Sequence, residues 1–128
     1  MGSAQKSCIN VKQMAENVGL NEDEYFSLLM LFIKTSTTYL RDLKSAIHDR
    51  DSKRVYESTH TIRGAAENLG IPEMSEIAKE IEVKARQNIL EGAEEAAECL
   101  MRKLACLQEV YHDDSTTFGL IADVYNQG

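Results

Sequence analysis

Apolar positions in this chain recur three and four residues apart in successive stretches, the spacing that gathers them on one side of an α-helix. Ile9, Val11, Met14, Ala15 and Val18 make the first, a short amphipathic helix closed by Gly19. Asn21 then has the character of an N-cap. Glu24, three residues on, completes a capping-box pattern, and Leu20 and Tyr25 are placed to staple across it. The helix that follows runs to about Ile47, with Leu29, Phe32, Ser36, Tyr39, Leu40, Leu43 and Ile47 on one side. Its stretch Thr35-Ser36-Thr37-Thr38 is weak in helix propensity, so tertiary packing has to hold it.

A polar break from Asp49 to Ser52 separates that helix from one running to Leu69, with Val55, Ser58, Ile62, Ala65 and Leu69 as its stripe. Gly70 ends it, and Pro72 opens a helix carrying Met74, Ile77, Ala78, Ile81 and Ala85 to about Asn88. A final helix carries Ala93, Ala97, Leu100, Leu104, Leu107 and Tyr111. Four long helices joined by short links predict an all-α fold. The expected form is an antiparallel up-down-up-down four-helix bundle with the short N-terminal helix packed at one end. The bundle is expected over 9–112, after an extension over 1–8 whose Met1-Gly2-Ser3 opening resembles a cloning scar. In the tail, 113–128, Phe118, Ile121, Ala122 and Tyr125 have the spacing of a short docking helix, set between polar stretches that favour fraying.

Composition narrows the function classes. At 128 residues the chain suits one domain, and its single proline agrees with helices throughout. A net charge of −7 argues against nucleic acid and against an anionic membrane surface as partners. No apolar run approaches the roughly 20 residues that span a bilayer, and the chain does not open on a secretory signal. Cys8, Cys99 and Cys106 have no metal or redox spacing, and read as reduced residues of a cytoplasmic protein.

One helix carries more than packing. At about 100° per residue, His60 falls opposite the stripe of its own helix. Gly64 lies one turn later and Arg63 beside it. An exposed histidine is usually just a solvated residue, an arginine beside it is ordinary, and a helical glycine often marks a close interhelical contact. Together on one polar face they point to chemistry. A neutral imidazole nitrogen is a nucleophile towards phosphorus. Arg63 can offset a phosphoryl charge, and Gly64 removes a side chain from the path of an incoming partner.

The segment His60-Thr61-Ile62-Arg63-Gly64-Ala65-Ala66-Glu67-Asn68-Leu69-Gly70 resembles the signature of the histidine-containing phosphotransfer (HPt) domain. That signature reads roughly His-x-Leu-Lys-Gly, two small residues, one variable, then Asn-Leu-Gly. The resemblance extends over about 9–110. Leu29 and Phe32 resemble the family's Leu-x-x-Phe pattern; Leu40, Leu43, Ala46 and Asp51 keep the spacing before the motif, and Ile77, Ile81 and Glu82 continue it. Arg63 departs from the usual lysine, retaining charge on a planar, bulkier group. The resemblance implies a phosphocarrier without autokinase activity. His60 would accept a phosphoryl group from a receiver-domain aspartate and pass it to another receiver, with Arg63 as electrostatic support and Gly64 as clearance. The implied partners are response-regulator receivers and a hybrid sensor histidine kinase, with this chain a monomer. Tyr56, Glu57 and Glu67 are candidates for the docking surface. No cofactor is implied on this chain, since Mg²⁺ belongs to the receiver.

Three rival readings are weaker. The phosphoacceptor segment of a sensor histidine kinase usually has an acidic residue after the histidine and a proline five positions on; here Thr61 and Ala65 stand there, and no glycine-rich nucleotide segment is present. A metal-binding bundle has two formal Glu-x-x-His matches, at Glu57/His60 and Glu109/His112, but the first points outward where di-iron ligands face the core. A bundle that binds a receiver or another signalling protein without transferring phosphate has the intact His60 against it.

Overall fold

The computed structural model describes residues 10–113, with side-chain surroundings to residue 109. The 1–8 extension and the tail's proposed docking helix lie outside the described residues, as do Ile9, Cys8 and the side chain of Tyr111. Among the described residues there are five helices and no strand: α1 (Val11–Asn17), α2 (Glu22–His48), α3 (Ser52–Asn68), α4 (Pro72–Arg86) and α5 (Ala93–Asp113). The short N-terminal helix is thus Val11–Asn17, capped by Asn10.

Local chemistry sets these boundaries. The capping box at the start of α2 is formed: Glu24 N–H donates to Asn21 Oδ1 at 2.8 Å, and Asn21 N–H donates to Glu24 Oε1 at 3.1 Å. In the weak threonine stretch, the Thr35 and Thr37 hydroxyls donate back to carbonyls of the preceding turn. Ser36 is buried there, as the packing argument required. Asp51 caps α3 by accepting from Arg54 N–H. Gly70 ends the α3 turn at φ +67°, and a Cβ there would stand 3.2 Å from Val18 Cγ1. Helix α4 stops at Arg86, short of the expected Asn88, which itself adopts φ +63°. An asparagine tolerates that left-handed conformation better than most residues.

The helices close into a ring: α2 packs on α3 and α5, and α4 packs on the same two, with the α3–α4 contact the most extensive. Helix α1 packs on α2. The core runs along Tyr25, Leu29, Ile33, Leu40 and Leu43 of α2, Val55 and Ile62 of α3, Met74, Ala78 and Ile81 of α4, and Leu100, Leu104 and Leu107 of α5. The stripes shift slightly from those expected. Tyr39 is exposed where Ile33 takes the core position, because Tyr39 lies at the edge of the stripe and its hydroxyl favours water. Ala65 and Ile77 are only half-buried, and Ala66 is enclosed instead of Ala65.

Polar contacts fix the register between helices. The Tyr25 hydroxyl, from the start of α2, donates to the Leu69 carbonyl at the end of α3 at 2.7 Å. Burial pushes that phenol up to about 12. Towards the other end of α2, Asp42 accepts from Ser58 at 2.9 Å and from Arg54 at 3.0 Å. Those two bonds, Ser58 foremost, hold the Asp42 carboxyl below the usual carboxylate range. Lys103 of α5 reaches Glu73 of α4 at 2.9 Å. No helix among the described residues is long and apolar enough to cross a membrane.

Candidate functional site

Two turns of α3 and one of α4 face each other across the most extensive helix contact in the ring. From α3 come Tyr56, His60, Arg63 and Glu67, spaced so that they share a face. From α4 come Glu82 and Arg86. Glu82 lies on the inner stripe of α4, between Ala78, Ile81 and Ala85, and is only 2% exposed. A carboxylate at such a position needs partners, and it has them. His60 Nδ1 lies 2.8 Å from Glu82 Oε2, and Arg63 Nε donates to Oε1. Burial alone pushes the Glu82 carboxyl up, but the hydrogen bonds from Arg63 and His60 outweigh it and hold the group below the usual range.

An ionised carboxylate can only accept, so Nδ1 carries the proton in this contact. The lone pair of a neutral imidazole then resides on Nε2, on the far edge of a ring whose side chain is 55% exposed. Arg63 Nη2 stands 3.5 Å from Nδ1. Two donors face each other there, so that approach is proximity and not a hydrogen bond.

Arg63 is more occupied than its sequence role suggested. Its Nε serves Glu82 and its Nη1 donates to Glu67 at 2.9 Å, so one guanidinium spans a buried and an exposed carboxylate. Both bonds raise its already high pKa, Glu82 contributing most. A lysine, usual at this place in the family signature, has no planar fork to make the same pair of contacts. Glu67, expected on the docking surface, is exposed and is the second partner of Arg63. Tyr56, expected there too, is half-buried and stacks on the His60 ring, with centroids 5.7 Å apart and 20° between planes. Glu57 stays outside this cluster; its side chain is exposed and its carbonyl accepts from Thr61.

Gly64 separates two readings cleanly. A Cβ built there meets nothing within 4 Å, so the glycine is not required by an interhelical contact within this chain. Gly64→Ala is accordingly expected to stabilise the isolated domain by about 0.5–1 kcal/mol, the helix-interior difference between the two residues. Urea unfolding checks this, and destabilisation would mean that the glycine serves the fold.

Sequence reasoning gave Glu82 no role beyond continuing a spacing pattern, although a glutamate on an apolar stripe was a signal in itself. Arg86 was missed. Its guanidinium lies over the Tyr56 ring, 5.5 Å from the centroid, and 4.0 Å from Glu82 Oε2, while 68% exposed. Among the described residues no three His, Cys, Asp or Glu side chains are grouped to hold a metal ion. Cys99 and Cys106 are half-buried and form no disulfide. The family model that matches the chain is that of the Hpt domain, over residues 27–112, from the second turn of α2 through nearly all of α5. Comparison with curated proteins and with solved structures finds no match.

Proposed function

We propose, because this chain belongs to the Hpt domain family, that it is a phosphorelay intermediate whose His60 carries the phosphoryl group between receiver domains. Hpt domains are phosphocarriers rather than enzymes, and they interact with receiver domains and histidine kinases of two-component systems. The observation that carries the assignment to His60 is the hydrogen bond to buried Glu82, which leaves Nε2 as the nucleophilic nitrogen on an exposed ring edge.

In this reading Nε2 attacks the phosphorus of a receiver's aspartyl phosphate. The N–P bond forms as the P–O bond to the aspartate breaks, and the aspartate leaves as a carboxylate. The positive charge that develops on the ring is met by Glu82 through the Nδ1 proton. Onward transfer is the reverse, with the aspartate of a second receiver as nucleophile. Arg63 holds Glu82 in place and supplies positive charge beside the phosphorylated ring. Gly64 gives a receiver room to approach, and Glu57 and Glu67 belong to the docking rim. Mg²⁺ stays with the receiver.

The reading extends to a cytoplasmic monomer with up-down-up-down helix order. That order is supported by the short links 49–51, 69–71 and 87–92 between packed neighbours, and by contacts that join the start of α2 to the end of α3.

Incubation with a phosphorylated cognate receiver tests the proposal. This chain is expected to take up label that is labile to acid and stable to base. A chain that binds the receiver without acquiring label is a non-transferring bundle, and the proposal fails. A narrower expectation concerns clearance. Gly64→Leu should slow transfer from a receiver but not direct labelling by phosphoramidate, a donor small enough to ignore the added side chain. Equal rates for variant and parent with the receiver would remove the clearance role.

A further inference from the structure

One hydrogen bond to Nδ1 does not fix an imidazole. The ring can still pivot about that contact, and with it the direction in which Nε2 points. A second restraint is present. Tyr56 and His60 are four residues apart on α3, and Glu82 and Arg86 are four apart on α4. The two pairs meet rung to rung. His60 bonds Glu82 at 2.8 Å, and the Arg86 guanidinium covers the Tyr56 ring at 5.5 Å. Along α3 the Tyr56 and His60 rings are stacked, and along α4 Arg86 approaches Glu82 at 4.0 Å. Four side chains thus form a closed circuit, with the imidazole at one corner held at Nδ1 by a carboxylate and on a face by an aromatic ring.

We propose that Tyr56 is a positioning residue for His60, fixing the imidazole plane so that Nε2 is presented in one direction. The proposal rests on His60 being the phosphoacceptor and adds a role for the tyrosine ring. Arg86 acts on Tyr56 in turn, since a guanidinium over an aromatic face limits the ring's own movement. The tyrosine's place as a docking residue is weakened by the same geometry: its ring is half-buried and already engaged by two neighbours. What matters is the ring face and not the hydroxyl, for no hydrogen bond of the hydroxyl contributes to the circuit.

The test separates positioning from docking with a donor that has no docking surface. Phosphoramidate labels a histidine directly, the imidazole nitrogen displacing ammonia from phosphorus. Tyr56→Leu, which keeps an apolar side chain but loses the aromatic face, is expected to label about three- to tenfold more slowly, the scale of one aromatic pair. The same factor should appear in transfer from a receiver. Tyr56→Phe should stay within about twofold of the parent. Side-chain couplings of His60 measured by NMR on the unphosphorylated chain should report one rotamer in the parent and in Tyr56→Phe, and rotamer averaging in Tyr56→Leu.

Parental phosphoramidate labelling of Tyr56→Leu overturns the proposal, and if receiver transfer alone is slow, the residue serves docking. Slow labelling of Tyr56→Phe also overturns it, because the hydroxyl would then be the active feature. Failure of the parent to label at His60 tells against the phosphoacceptor assignment. The couplings still decide in that case, and a single rotamer in Tyr56→Leu removes the positioning role.

Discussion

His60→Gln is expected to abolish transfer while leaving the fold intact. The His60 side chain is more than half exposed and contributes nothing to the apolar core. Substitutions at such positions usually stay within about 0.5 kcal/mol. Glutamine is also the replacement least disruptive to the buried partner, since its amide can donate to Glu82 as Nδ1 does. What it lacks is a nucleophilic nitrogen. Incubation with a phosphorylated receiver should therefore give no acid-labile label, with unchanged helix content by circular dichroism. His48 supplies the internal control: it is an exposed histidine beside Asp49, outside the Glu82 cluster, and His48→Gln should label normally. Label persisting in His60→Gln would place the phosphoryl group elsewhere and end the assignment.

Glu82→Gln has the next largest expected effect, and it acts on both stability and transfer. The carboxylate is nearly fully enclosed and receives Arg63 and His60 on separate oxygens. An amide offers one acceptor oxygen, which Arg63 can keep, and turns its NH2 towards His60. Nδ1 then either loses its bond or accepts as the tautomer protonated on Nε2, which has no lone pair there. Breaking a fully enclosed ion pair costs roughly 3–5 kcal/mol; here His60 and Arg63 are partly solvated, and about 2 kcal/mol is expected from the urea midpoint. Transfer should fall by about tenfold or more, because the proton on Nδ1 is no longer held there by a charge. A variant with parental stability and parental transfer would show that the carboxylate has no part in the site.

The same group gives the fold a pH dependence of definite sign. Glu82 is held below its ordinary pKa, so the folded state binds its proton less readily than the unfolded chain does. Its contribution to stability is complete above the ordinary glutamate range. That contribution is lost as pH falls through the depressed value. The Asp42 carboxyl, lowered chiefly by its bond from Ser58, acts in the same direction. Glu82→Gln should flatten the acid limb of a stability-against-pH curve, and an unchanged acid limb would assign the effect to other carboxylates.

Much of this was legible in the residues because it was local. Periodicity located every described helix, and the capping box at Asn21 and the glycine stop at Gly70 placed ends to within a residue or two. The exposed setting of His60 followed from helical geometry alone. What escaped was what depends on the register of one helix against another. Nothing within α3 says that Tyr56 lies level with Arg86, and nothing within α4 says that Glu82 lies level with His60 and Arg63. Arg63 itself was read as free to serve a phosphoryl group, since the buried carboxylate that occupies it lies on a different element. Glu82 is the instructive case. Its place beside an apolar stripe was a signal that went unread, and its partners depend on the packing of α3 on α4.

The link from α3 to α4 has a consequence for how the molecule is made. His60 and Glu82 are separated by 22 residues, and the turn between their helices is set by Gly70 and Pro72. The entropy of closing a loop grows only with the logarithm of its length, so pairing these two residues demands little of the unfolded chain. Joining α2 to α5 demands more, since the whole of α3 and α4 lies between them in the chain. The reactive corner thus has a short route to assembly, since it spans a single interhelical link, as the still more local contacts of Asp42 with Arg54 and Ser58 do.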